Sequence, residues 1–192
     1  LLDGDQILAM SARFLHENGK LPSQKVVATQ MSNLGFEQYL NSIGLELIRT
    51  NVGDRYVLEA MHAHGCNLGG EQSGHILFTD YATTGDGLLA GLQVLAVMQQ
   101  QKQALSACAG CYTPFPQRLT NIRLKDFKSD PSTKPAVKAA ISAAEQELGA
   151  DGRIFIRKSG TEPLLRIMVE GREDALVNRL SDTLKAAVDA AA

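Results

Sequence analysis

The sequence predicts an α/β protein in two parts, a mixed α/β domain over residues 1–113 followed by a small α+β domain over residues 117–192. Two observations carry that prediction. Short β-like runs alternate with amphipathic helical stretches through the first part, the pattern of a layered α/β unit. At Tyr112-Thr113-Pro114-Phe115-Pro116 two prolines bracket an aromatic residue and neither side's periodicity runs through, so this segment is the expected boundary. At 192 residues and 44% apolar content, the chain can bury a real core in one large or two small domains.

The elements follow in order. Asp3 or Asp5 can cap a first helix whose buried stripe is Ile7, Met10, Phe14 and Leu15, closed by Gly19. Lys25 to Thr29 reads as a strand. A second helix carries Leu34, Tyr39, Leu40 and Ile43 and stops at Gly44, and Leu45 to Thr50 reads again as a strand. A third helix spans about Asp54 to Ala63, with Asp54 as its expected cap. A glycine-rich loop, Gly69 to Gly74, then precedes the strand Ile76 to Phe78. The helix that starts near Asp86 and runs past Met98 is apolar over most of its surface, through Leu88, Leu92 and Leu95, and is expected at the centre of the core. Beyond the proline segment, Leu119 to Leu124 is a strand and Asp130 to Pro135 is turn chemistry. A helix with Val137, Ile141, Ala144 and Leu148 on one face follows, ending at Gly149. Strands Arg153 to Ile156 and Leu165 to Val169, then a terminal helix with Val177, Leu180, Leu184 and Val188, complete the small domain.

Composition narrows the function classes. A formal net charge of -2, with acids and bases interspersed, offers no basic stripe for nucleic acid and no polybasic helix for a membrane. No apolar run approaches the roughly 18 residues that span a bilayer, and no signal core is recognisable at the N-terminus, so a cytoplasmic protein with a small-molecule ligand is expected. Three cysteines, Cys66, Cys108 and Cys111, are too few and too odd in number for a disulfide framework. The Cys108–Cys111 spacing is that of a redox pair, but it follows a helix instead of opening one after a strand, and small-residue packing explains it. The absence of an initiator methionine at Leu1 suggests a fragment of a longer chain.

Four strings carry chemistry. Arg157-Lys158-Ser159-Gly160-Thr161-Glu162-Pro163, answered by Arg166, packs hydroxyls, a glycine and guanidinium groups between two apolar runs, as a phosphate loop requires. Hydroxyls and loop amides donate to phosphate oxygens, arginine supplies planar paired donors, and Gly160 is expected to take a positive φ that lets N–H groups converge. Pro163 stiffens the exit. Gly69-Gly70-Glu71-Gln72-Ser73-Gly74-His75 suits neighbouring sugar hydroxyls: a carboxylate accepts two hydrogen bonds, and glycines let backbone approach closely. Asp54 and Arg55, in the string Arg49 to Tyr56, are accessory candidates. Asp3-Gly4-Asp5 resembles a Mg²⁺ loop, but helix capping accounts for it. His62, His64 and Cys66 lack helical metal spacing and suit the end of a helix, so no metal site is expected.

In order along the chain, Asp3-Gly4-Asp5-Gln6-Ile7-Leu8, Val52-Gly53-Asp54-Arg55-Tyr56-Val57, Gly70 to His75, Thr83-Thr84-Gly85-Asp86-Gly87 and Arg157 to Pro163 resemble the phosphohexomutase superfamily over almost the whole length. The resemblance implies the third and fourth of four domains, the last with a TBP-like fold. It places sugar contacts at Glu71, Ser73 and His75, and the non-reacting phosphate at Arg157, Ser159, Gly160, Thr161, Glu162 and Arg166. It implies an isomerase that moves a phosphoryl group between the 6- and 1-positions of a sugar phosphate, through a bisphosphate and an active-site phosphoserine, with Mg²⁺ as cofactor. Gln72 and Asp54-Arg55-Tyr56 point to the glucosamine-specific branch, hence to amino-sugar metabolism, UDP-N-acetylglucosamine and peptidoglycan precursors. A hexose-specific branch (phosphomannomutase or phosphoglucomutase) and a non-catalytic sugar-phosphate-binding module are the alternatives. The chain departs from the family in having no S-x-S-H-N-P-like phosphoserine loop and no D-G-D-x-D-R metal loop. The resemblance therefore implies that nucleophile and Mg²⁺ ligands lie in an N-terminal half, the chain's expected partner, and that this chain alone is inactive. Asn51 replaces a lysine common in related proteins.

Overall fold

A computed structural model describes residues 1–125 and 130–191. They divide into two units, Leu1–Pro114 and Phe115–Ala192.

In the first unit, Asp3 caps α1 (Gly4–Glu17) through a reciprocal capping box with Gln6, so Asp3 and not Asp5 is the cap. Strand β1 (Lys25–Thr29) leads to α2 (Leu34–Ser42), whose cap Asn33 accepts from the Gly35 amide, and then to β2 (Glu46–Thr50). Helix α3 (Asp54–His64) is preceded by Gly53 at φ 131, and no side chain caps it in the usual way. Asp54 was the expected cap; it sits one residue too late, and its carboxylate accepts instead from the adjacent Arg55 amide at 2.9 Å. Part of the glycine-rich stretch is itself a strand, β3 (Leu68–Gly70), which hairpins into β4 (Ile76–Phe78). Helices α4 (Gly87–Gln101) and α5 (Leu105–Ala109) finish the unit.

The sheet order is β2-β1-β3-β4, with β1 parallel to both neighbours and β4 antiparallel to β3. Both faces of β1 are buried, as a central parallel strand demands: Val26 and Ala28 enter the core with α1 and α2, while Val27 enters a second core with Val57 and Met61 of α3. Helix α4 departs from expectation. Leu88, Leu92 and Leu95 are 77%, 54% and 58% exposed, while Ala90 and Val97 are buried. A helix that is apolar all round does not encode which side turns inward. Here the side with the small Ala90 meets the sheet, and the leucines face outward. Among the described residues no helix is long and apolar enough to cross a membrane.

In the second unit β5 (Gln117–Arg123), β6 (Gly152–Lys158) and β7 (Leu164–Gly171) form an antiparallel sheet of order β5-β7-β6. Helices α6 (Pro135–Leu148) and α7 (Asp174–Ala191) cover one face, packing Val137, Leu148, Val177, Leu180 and Leu184 on Ile122, Leu165, Ile167 and Val169. Strand alternation sends Arg166, between Leu165 and Ile167, to the opposite face.

Candidate functional site

The β3–β4 turn is the first candidate region. The Glu71 amide donates to the His75 carbonyl at 3.0 Å and the Gly74 amide to the Glu71 carbonyl at 2.9 Å, with Gly74 at φ +100, a conformation that excludes most side-chain-bearing residues. Glu71 is then turned towards α3: its Oε1 accepts from the Gly53 amide at 3.0 Å, so a carboxylate from a distant loop satisfies the helix start that lacks its own cap. Its other oxygen takes no hydrogen bond among the described residues. Thr29, Met31, Val52, Glu71, Gln72 and Ser73 enclose a cavity of about 300 Å³ beyond the carboxyl end of β1, the usual ligand position on a parallel sheet. Glu71 and Ser73 are thus brought together.

His75 and the accessory pair lie apart from this wall. His75 Nε2 is 3.7 Å from Asp54 Oδ2, and its ring lies so close to Gly85 that a Cβ there would come within 2.2 Å of the imidazole. Arg55 is committed to Glu59 at 2.8 Å on the exposed side of α3. The cavity walls given by Thr29, Met31 and Val52 escape a motif reading, because only the pairing of β1 with β2 and β3 brings those strand ends beside the loop.

The second region is the β6–β7 connection. Arg157 and Arg166 are directly opposed across the two strands, and Asn121 of β5 is opposite Arg166 on its other side. These three side chains therefore share the face away from the helices. Arg157 has no ion pair or hydrogen bond among the described residues, and Arg166 Nε is buried without a partner. The nearest carboxylate is Glu162, 3.7 Å from the Arg166 guanidinium. Ser159 is buried; its amide donates to the Leu164 carbonyl at 2.8 Å, and its hydroxyl accepts from the Thr161 amide at 3.4 Å. Pro163 is tied to β5 through its carbonyl, which accepts from the Leu124 amide at 2.7 Å. Gly160 does not take the expected positive φ. The turn is closed by the hydroxyl of Ser159 and by the Leu164 amide bonded to the Glu162 carbonyl, which leaves no need for a left-handed residue. Arg157, free of any counter-charge among the described residues, and Arg166, compensated only by Glu162 at 3.7 Å, thus stand beside a loop of hydroxyls and amides, the donor types that suit an anion.

Asp3 and Asp5 are both engaged, Asp3 in its capping box and Asp5 Oδ2 with the Asn33 amide at 2.7 Å. Among the described residues no group of three or more His, Cys, Asp and Glu side chains is arranged to hold a metal ion. The three cysteines are free, with Cys66 and Cys108 buried.

Residues 3–115 match the family model described as phosphoglucomutase/phosphomannomutase, alpha/beta/alpha domain III, and residues 119–187 match phosphoglucomutase/phosphomannomutase, C-terminal domain. The chain is 51% identical over 192 residues to a phosphoglucosamine mutase of Methylobacterium radiotolerans, and 52% identical over 191 residues to one of Dinoroseobacter shibae. Each alignment takes in 100% of this chain and 42% of the relative, so the chain spans less than half the length of the curated relatives it matches. Among solved structures, Aspergillus fumigatus N-acetylphosphoglucosamine mutase superposes with a TM-score of 0.84 at 23% identity, over 100% of this chain and 44% of that one. The same fungal enzyme in complex with GlcNAc-6P and magnesium superposes at 0.81, also at 23% identity, with the same coverage. At that identity the likeness establishes the fold.

Proposed function

The chain belongs to the phosphoglucomutase/phosphomannomutase family, and on that premise we propose that it is the C-terminal half of a phosphoglucosamine mutase, which recognises the substrate while the phosphoryl chemistry is done elsewhere in the protein. The observation that carries this reading is the opposed pair Arg157 and Arg166, left without full charge compensation beside the Ser159–Thr161 turn. A phosphate monoester neutralises both. Glu71 and Ser73 line the cavity that takes sugar hydroxyls, the free oxygen of Glu71 accepting from one or two of them. His75, with Asp54 beside it, lies further along the same turn.

Each residue acts by positioning. Binding energy gathered at the distal phosphate orients the reacting end, and phosphoryl transfer depends chiefly on such orientation and on charge stabilisation. The bisphosphate must turn over between the two transfers, so the arginine pair has to accept either phosphate; a fork of planar donors that contacts only phosphate oxygens does so without regard to which sugar carbon bears them.

Mg²⁺ would serve the transferring phosphoryl group, and this chain's residues do not fit it: Asp3 and Asp5 are committed to backbone donors. The ion's ligands and the phosphoserine belong to the N-terminal half. We place part of the contact with that half on α4, where Leu88, Leu92 and Leu95 are exposed beside an apolar groove of about 440 Å³. The strength of identity to phosphoglucosamine mutases favours a cytoplasmic amino-sugar enzyme over the hexose-specific alternative.

Isothermal titration of the chain with glucosamine 6-phosphate, glucose 6-phosphate and mannose 6-phosphate tests the assignment. Tightest binding of glucosamine 6-phosphate is expected; equal or tighter binding of either hexose phosphate would replace the glucosamine assignment with the hexose-specific one.

A further inference from the structure

The string Asp3-Gly4-Asp5 does more than cap α1. Gly4 lies against the β3–β4 turn: its amide donates to the Gln72 carbonyl at 2.8 Å, and a Cβ at this position would stand 1.9 Å from the Glu71 carbonyl oxygen and 2.9 Å from the Gly74 nitrogen. Only a glycine permits that approach, and all the obstructing atoms are backbone. One residue on, Asp5 is fully buried and reaches the β1–α2 loop, where Oδ2 accepts from the Asn33 amide at 2.7 Å beside Ser32. Both loops line the same cavity. Glu71, Gln72 and Ser73 come from the first and Met31 from the second.

We infer that the Asp3-Gly4-Asp5 turn is a positioning element of the sugar cavity: through Gly4 it fixes the loop bearing Glu71 and Ser73, and through Asp5 it fixes the loop bearing Met31. Asp3 contributes by anchoring the first turn of α1, so that both contacts leave from a rigid base. The inference deepens the sugar-binding reading and rests on it for its functional consequence, but not for the coupling itself.

The charged and titratable surroundings of Asp5 allow that coupling to be read out. Asp3 stands on its own helix and Arg49 reaches it from β2. Arg49 also donates to the Thr29 and Ser32 carbonyls at 3.3 and 2.8 Å and pairs with Glu37 of α2 at 2.7 Å, tying the same loop from its other side. Burial pushes the Asp5 carboxyl up to about 6, against the lowering effect of the Asn33 amide and the Ser32 hydroxyl.

The test uses the 192-residue chain and its Asp5→Asn, Asp5→Ala and Gly4→Ala variants, with amide resonances followed by NMR and glucosamine 6-phosphate affinity by calorimetry. In the unaltered chain the Met31 to Asn33 amides should titrate with a midpoint near 6, and Asp5→Asn should abolish this. Asp5→Ala should displace the Met31 to Asn33 resonances and Gly4→Ala those of Glu71 to Gly74, each lowering affinity at least about tenfold while α6 and α7 resonances stay in place. The ratio of affinities of the unaltered chain and Asp5→Asn should change between pH 5 and 7, a comparison that cancels the ionisation of the sugar phosphate itself. Unmoved loop resonances in a folded Asp5→Ala or Gly4→Ala variant, or an Asn33 amide that ignores pH, would overturn the inference. If Gly4→Ala does not fold, Asp5→Asn decides. If the unaltered chain binds no sugar phosphate, the sugar reading fails while the resonances still decide whether the turn clamps both loops.

Discussion

Arg157 and Arg166 occupy directly opposed positions of β6 and β7, two guanidinium groups side by side on the sheet face away from the helices. Like charges placed opposite one another in an antiparallel pair destabilise the sheet by a few tenths to about 1 kcal/mol, a cost that Glu162, 3.7 Å from Arg166, offsets only in part. Replacing Arg157 with Ala should therefore leave the thermal stability of the ligand-free chain unchanged or slightly raised. In the complete enzyme the same change should weaken substrate binding by about 2 to 4 kcal/mol, the scale of losing one partner of a charged hydrogen bond. Differential scanning calorimetry and steady-state kinetics check the two halves of the statement; a large loss of stability would make Arg157 a structural residue. Ser159→Ala should cost less, about 1 kcal/mol.

Glu71 has two tasks, one at each oxygen. Glu71→Gln keeps an acceptor for the Gly53 amide but removes the charge at the N-terminus of α3 and one strong acceptor for sugar hydroxyls. Sugar-phosphate affinity should fall by roughly 1.5 to 3 kcal/mol, the range for hydrogen bonds to charged groups, with a stability loss below about 1 kcal/mol. Calorimetric binding and urea denaturation separate the two effects.

Gly53 stands at φ 131, outside the range of ordinary side-chain-bearing residues, and presents its amide to Glu71. Gly53→Ala should destabilise the first unit by about 1 to 3 kcal/mol through backbone strain. The effect should exceed that of alanine at Gly87, where no atom would meet the added methyl and no positive φ is imposed. Chemical denaturation of both variants checks the order.

Asp5 makes a prediction with a definite sign. Its carboxyl is raised by burial to about 6 in the folded chain, against about 4 when unfolded, so between these values the folded chain keeps a proton that the unfolded chain has released. Its contribution makes the protein less stable as pH rises from about 4 to 6 and is level above that, an effect of roughly 3 kcal/mol in all. Asp5→Asn removes the term. The difference in unfolding free energy between the unaltered chain and Asp5→Asn should thus change across that window and flatten above it.

Much of the fold is legible in the chain because local signals agree with global ones. Asp3 or Asp5 ahead of an amphipathic stripe announces α1, and the β-like run Lys25–Thr29 with the patterned stretches on either side announces a β-α-β layer. Where local signals are degenerate the reading fails. Helix α4 is apolar on every side, so nothing in its periodicity reveals that Leu88, Leu92 and Leu95 face outward. Gly69 and Gly70 look like loop residues yet pair with Val27 and Ala28, since close packing against Met61 and the hairpin partner requires residues without side chains. Composition singles out the loops around Glu71 and Arg157 as candidate binding loops. The opposition of Arg157 to Arg166, the capping of α3 by Glu71, and the cavity walls from Thr29, Met31 and Val52 depend on register and strand order, which no local motif contains.

On the proposed reading, this chain recognises a sugar phosphate and leaves the chemistry to residues it does not contain. A single ³¹P NMR experiment reads both parts, with the 192-residue chain, Mg²⁺, glucosamine 6-phosphate and a catalytic amount of glucosamine 1,6-bisphosphate. The 6-phosphate resonance should shift or broaden with the unaltered chain but not with Arg157→Ala, and no glucosamine 1-phosphate resonance should grow in. A growing 1-phosphate signal, or a 6-phosphate resonance equally perturbed by Arg157→Ala, would contradict that reading.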